Sequence, residues 1–219
     1  MNMHILQPLI CVLILSSFIC RVDTLQAQTL MIDSFDKKST TASKKYPGYR
    51  GSQEGYDVYY ESANVKLSLV HHNTPDTSDK ALRIEFDLSS GFWLSVRKEF
   101  PSSLNLDGYQ GVELNLCVTI ATPNVRLRIT LSDSTDDKKD GDEMWWFDCD
   151  PTLLNNKNTK WTKVPMPFDR FYPSYGIGSR HNDGKLNLKK IIAYEVNLIS
   201  EAGKIEAGRI CINSFRAYK

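Results

Sequence analysis

The chain has 219 residues, the length of one β domain of ordinary size or two small ones, and no break in composition divides it. With 27 Lys and Arg against 26 Asp and Glu, the formal charge is +1. Such a chain has neither a basic field for nucleic acid nor an acidic tail, so electrostatic steering of a polyanion is excluded as its working principle.

Leu9 to Cys20 is an apolar run, followed by polar residues and then Leu25-Gln26-Ala27-Gln28. The run is too short to span a bilayer as a helix and suits a signal-peptide hydrophobic region with cleavage after Ala27. No Lys or Arg precedes it, and a buried N-terminal helix is the alternative. The expectation is a signal peptide over residues 1–27 and an exported single domain over 28–219, with no membrane insertion of the mature form. Processing removes Cys11 and Cys20 and leaves Cys117, Cys149 and Cys211. This is far from the density of a disulfide scaffold, so buried apolar thiols are expected, with room for one bridge.

A short strand follows, with Ile32 apolar and Phe35 as its anchor. Residues 37–57, rich in Ser, Thr, Gly and Lys, read as a long surface loop. Tyr46, Tyr49, Arg50 and Tyr56 in it either fold over a binding face or pin the loop to itself. Alternation then sets in. Val65, Leu67 and Leu69 form one apolar stripe, and Leu82, Ile84, Phe86 and Leu88 another. Leu94 and Val96 alternate with Trp93, Ser95 and Arg97. Residues 112–120 and 125–131 make a hairpin about Pro123-Asn124.

Ser132 to Asp142 is an acidic loop without the register of a calcium loop, and reads as a solvated turn. Glu143 to Trp161 holds three of the four tryptophans. In a strand over Met144 to Asp148, Trp145 and Phe147 face one side and Trp146 and Asp148 the other. One pair belongs in a core, and the other forms an aromatic plate beside a carboxylate, the surface that a pyranose stacks on. Pro165 and Pro167 mark Trp161 to Phe168 as an edge strand. Residues 169–185 read as a loop with Tyr172, Tyr175, Arg180 and His181. Tyr194, Val196 and Leu198 alternate with Glu195 and Asn197, and the chain closes with Arg209 to Tyr218. About nine or ten short strands and no convincing helix after the signal predict an all-β chain, a two-sheet sandwich or jelly roll.

Four segments carry a family resemblance: Ile32-Asp33-Ser34-Phe35-Asp36, Leu104 to Leu114 with its Asp107-Gly108-Tyr109 turn, Trp161 to Phe171, and Gly208 to Tyr218. In this order they resemble the galactose-binding-like jelly-roll carbohydrate-binding modules, family 11 and its relatives. The resemblance implies a concave face that binds glycans and a structural calcium between the first and last strands. Carried over, that ion draws on Asp33 or Asp36 and on Asn213. Asn stands where the family has Asp, which lowers the ligand charge; the alternative is that Asp33 bonds the neighbouring strand. No other cofactor is expected.

On the polar sides of the strands, Trp93 and Trp146 are the candidate stacking plates. Asp87, Arg97, Arg126, Arg128, Asp148 and Glu195 are the candidates for orienting hydroxyls through bidentate contacts. Against this stands a covered face with both rings buried among internal salt bridges. A glycosidase or lyase is the enzymatic alternative, with Asp87 and Glu195 as acid and base. His71, His72 and His181 lie in predicted loops without a nucleophile elbow or zinc spacing. A protein-interaction surface is the third alternative. The reading chosen is a monomeric jelly roll that binds a poly- or oligosaccharide without modifying it.

Overall fold

Alternating apolar stripes that cannot be buried singly are resolved by stacking two antiparallel sheets face to face. The computed structural model describes residues 29–35, 48–60, 63–71, 80–89, 91–134, 142–174, 183–200, 204 and 206–219. The expected signal segment, Tyr46, Tyr175, Arg180 and His181 lie outside them.

The first sheet contains β1 (Thr29–Asp33), β4 (Asn64–His71), β5 (Lys80–Asp87), β7 (Gly111–Ile120), β10 (Asn158–Pro167) and β13 (Ala207–Tyr218). Its order is β10-β7-β13-β5-β4, with β1 also paired to β13. The second contains β2 (Tyr49–Gln53), β3 (Tyr56–Tyr60), β6 (Trp93–Leu104), β8 (Val125–Ser134), β9 (Asp142–Asp148), β11 (Tyr172–Pro173) and β12 (Ile191–Ser200). It is ordered β11-β9-β8-β12-β6-β3-β2. Two 3₁₀ turns, Pro151–Leu154 and Phe168–Arg170, are the helical elements among the described residues. The all-β expectation holds.

One apolar core lies between the sheets. Leu82, Ile84, Leu114, Leu116, Ile210 and Ile212 of the first sheet belong to the same buried cluster as Leu94, Val96, Leu127, Ile129, Val196 and Leu198 of the second. Pro165 and Pro167 stand in β10, an edge strand, as their missing N–H groups require.

Part of the predicted long loop is ordered as the β2–β3 hairpin. Its turn residues Glu54 and Gly55 have φ of 50° and 84°, the left-handed pair that a type I′ turn needs. Tyr56 is buried in the core, while Tyr49 packs edge-on against Tyr59.

Asp33 ties β1 into this core. Its carboxylate accepts from the Phe35 N–H (2.9 Å), the Tyr56 hydroxyl (2.9 Å), the Tyr194 hydroxyl (2.6 Å) and Lys98 Nζ (2.7 Å). Burial first, and then the Asp33 charge, push both tyrosine hydroxyls upward, so they stay neutral donors.

Candidate ligand-binding face

The register of the second sheet sets out its outer face in rows. Trp146, Thr130, Glu195, Arg97 and Asp57 lie side by side across β9, β8, β12, β6 and β3. Asp148, Arg128, Asn197, Ser95 and Tyr59 form the next row, and Arg126, Ile199 and Trp93 the one after. Trp146 and Trp93 are therefore three strands and four residues apart. At the usual strand spacing and rise, that is roughly 20 Å corner to corner.

Trp145 and Phe147 are buried in the core, whereas Trp146 and Asp148 are half-buried on the outer face. The division expected from strand alternation is the one observed. Around Trp146 the side chains interlock. Arg128 lies over its ring, 4.2 Å from the centroid, and Tyr172 meets it edge-on at 6.1 Å. Arg128 grips Asp148 with two bonds, Nε to Oδ1 at 2.6 Å and Nη2 to Oδ2 at 3.2 Å. The Tyr172 hydroxyl donates to Asp148 Oδ2 at 2.5 Å and accepts from Arg128 Nη2 at 3.3 Å. Burial pushes the Asp148 carboxyl up, but the bonds from Arg128 and Tyr172 and the nearby guanidinium charges outweigh it and hold the group below its ordinary value. Arg126 stands exposed in the next row.

Tyr172 is a residue that sequence reasoning placed only in a loop. It is 37% exposed and sits on a two-residue edge strand pairing with Trp146. Its proximity to Pro173 and the surrounding polar residues concealed the strand.

Trp93, at the opposite corner, is half-buried against the backbone of Gly48. A Cβ at Gly48 would come 3.1 Å from the indole, and the residue has φ of 91°, so glycine suits both constraints.

The middle of the face differs from expectation. Arg97, 1% exposed, gives Nη1 to Glu195 (2.6 Å) and Ser132 (3.0 Å), Nε to Glu99 (3.2 Å) and Nη2 to Asp142 (3.3 Å). Ser95 donates to the other Glu195 oxygen at 3.0 Å. Arg97 and Glu195 are on the predicted face, yet they are buried and committed to each other, so they hold strands together rather than meeting a ligand. Period two tells on which side of a strand a residue lies, not whether that side is open.

Asp87 is a second correction. It stands on the outer side of the first sheet, where it accepts from the Ser89 N–H and lines a cleft of about 440 Å³ with Lys66, Glu85 and Arg209. Both sheets and the core packed between them separate it from Glu195, which removes that pair as acid and base.

Asp33, one of the residues implied for calcium, is already engaged. An ammonium, Lys98, already sits on Asp33, and three neutral donors complete its carboxylate. Asn213 is fully buried and donates to Lys80 O at 2.8 Å. Asp36 lies outside the described residues. Among the described residues, no group of three or more His, Cys, Asp and Glu is placed to hold a metal.

The ends of the stretch read as a solvated acidic turn are buried strand instead: Ser132 and Asp133 stand at the end of β8 and Asp142 opens β9, so that the Asp133 and Glu143 carboxylates face each other across the two strands. Asp133 accepts from the Asn187 N–H at 2.6 Å, and Glu143 from the Asp183 N–H at 3.1 Å. They dock the segment that leads into β12. Burial, against the Asn187 bond and with the charges of Glu143 and Asp183, pushes the Asp133 carboxyl up to about 7.

The fold thus defines a class, the β-jelly roll with one wide sheet face carrying aromatic and ionic side chains. Solved carbohydrate-binding modules share the fold. The family 11 module from Clostridium thermocellum, solved with a β-1,3-1,4-mixed-linked tetrasaccharide, superposes with a TM-score of 0.59 at 14% identity, covering 86% of this chain and 94% of that one. The family 11 module of a cellulosomal cellulase from the same organism gives 0.60 at 13% identity, over 87% and 94%. The family 30 module of another such cellulase gives 0.55 at 8% identity, over 87% and 96%. The likeness is one of fold, and it bears out the resemblance read from the four sequence segments. No family model matches the sequence, and no curated protein matches it.

Proposed function

We propose that this protein is an exported, non-catalytic glycan-binding domain, acting as a monomer, whose ligand lies on the outer face of the second sheet. The observation that carries the reading is the Trp146-Tyr172-Arg128-Asp148 cluster. Its aromatic rings are fixed by their neighbours before any ligand arrives, so little ordering is left to oppose binding. Tyr172, the more exposed of the two rings, offers a face for a pyranose, and Arg128, Asp148 and Arg126 form a polar rim for its hydroxyls. Asn197 and Trp93 continue the path along the diagonal of the sheet. The export reading rests on Leu9 to Cys20 and the site after Ala27. Among the described residues, no helix is long and apolar enough to cross a membrane.

The mixed-linked β-glucan bound by the family 11 module heads the list of ligands to test. Affinity electrophoresis through gels containing β-glucans, xylans, mannans, galactans or pectins should show retardation by one polysaccharide. Tyr172→Ala should abolish it while leaving the melting temperature within a few degrees of the parent. Migration unchanged in every gel overturns the proposal.

A further inference from the structure

Cys117 and Cys211 are brought face to face by the register of the first sheet. They are direct partners on β7 and β13. Their neighbours Leu116, Val118, Ile210 and Ile212 all belong to the main core, so alternation turns both thiols to the other side of the sheet. There they lie fully buried in a small separate cluster with Ala81, packed under Val70 and Trp161. Directly opposed residues of antiparallel strands have Cα atoms about 4.5 or 5.5 Å apart, depending on the kind of pair. Both spacings fall within the range, about 4.4–6.8 Å, that a disulfide bridges. Both groups are free thiols here, and neither belongs to the proposed glycan face.

We propose that Cys117 and Cys211 form a cross-strand disulfide when the chain folds in the presence of a disulfide oxidant. The two thiols give up two protons and two electrons, and the oxidant, a disulfide such as oxidised glutathione, accepts both and departs as two thiols. Cys211 has a neighbour suited to the attack. Burial pushes its thiol up, but Arg83, its partner on β5, sets a guanidinium beside it that favours the thiolate. Bond formation precedes the final closure of Val70 and Trp161 over the pair. Cys149 is left out, since it lies in the main core and burial pushes its thiol up to about 12.

The test is peptide mapping of the full chain, refolded from the reduced, unfolded state into a buffer of oxidised and reduced glutathione. Remaining thiols are alkylated and the digest is read without reduction. The expected result is one cross-linked pair of peptides, carrying Cys117 and Cys211, with Cys149 alkylated. Reduction of this material should lower its melting temperature by about 10 °C, given a closed loop of roughly 90 residues. The Cys117→Ala/Cys211→Ala protein should show no such change. Cys117 and Cys211 recovered alkylated, capped by glutathione or joined to any other cysteine overturns the proposal.

Discussion

Lys98 Nζ lies 2.7 Å from Asp33 Oδ2, which places an ammonium where the first and last strands meet. Lys98→Met leaves a buried carboxylate with neutral donors only and should destabilise the fold by about 2–4 kcal/mol. A chelator should leave the melting temperature of the parent unchanged. A fall in that temperature on adding EDTA, reversed by calcium, would refute the assignment of this charge balance to Lys98.

Arg97 and Arg126 separate structure from binding on one face. Arg97→Met strands Glu99, Asp142 and Glu195 without their guanidinium and should cost about 3–5 kcal/mol in urea unfolding. Arg126→Ala removes only an exposed side chain, and its unfolding midpoint should be unchanged while glycan retardation weakens. Equal destabilisation by the two substitutions would contradict the arrangement described.

At Tyr172 the ring and the hydroxyl can be tested apart. Tyr172→Phe keeps the stacking surface and loses the bond to Asp148, so affinity for the retarding polysaccharide should fall no more than about threefold. Tyr172→Ala removes the ring and should cost tenfold or more, on the scale of about 1.5 kcal/mol for aromatic contacts. Titration calorimetry with an oligosaccharide of that polymer decides between them, and equal losses would assign the effect to the hydroxyl instead.

Asp133 gives a pH dependence with a definite sign. Its folded value, about 7, lies above the ordinary value of 3.8, so the folded state holds a proton that the unfolded chain has released. Between those values stability falls as pH rises, and the loss is complete above the folded value. Asp133→Asn keeps an acceptor for the Asn187 N–H and removes the charge. Its melting temperature should exceed that of the parent at pH 8, and the difference should shrink towards pH 4. A parent protein that melts higher than the variant at pH 8 would show that the carboxylate is stabilising there.

Much of this fold could be read from strand alternation. The Trp145/Trp146 division, the edge position of β10 and the two-sheet core all follow from which side chains tolerate water and which backbone N–H groups are missing. What alternation lacks is any information about the neighbouring strand. Asp87 and Asp148 have the same local pattern, yet they stand on opposite sheets because the partners of β5 and β9 are chosen by distant segments. The β2–β3 hairpin was missed because Arg50, Gly51 and Ser52 have the composition of a loop, while the type I′ turn at Glu54-Gly55 and the buried Tyr56 fix the strands. Within the face, the Arg97 cluster was invisible because four charged side chains from β6, β9 and β12, with Ser95 of β6 and Ser132 of β8, must assemble before the guanidinium is filled.

The prolines of β10 and β11 have a consequence beyond the shape of either strand. Pro165 and Pro167 line one edge of the first sheet, and Pro173 lies in the last strand of the second, next to the aromatic corner. At these positions an incoming strand finds no amide hydrogen to pair with. A surface that gathers polymer chains raises the local concentration of its own copies, and sheets with open edges would then tend to fuse into aggregates. Here the borders nearest the proposed binding corner resist that growth.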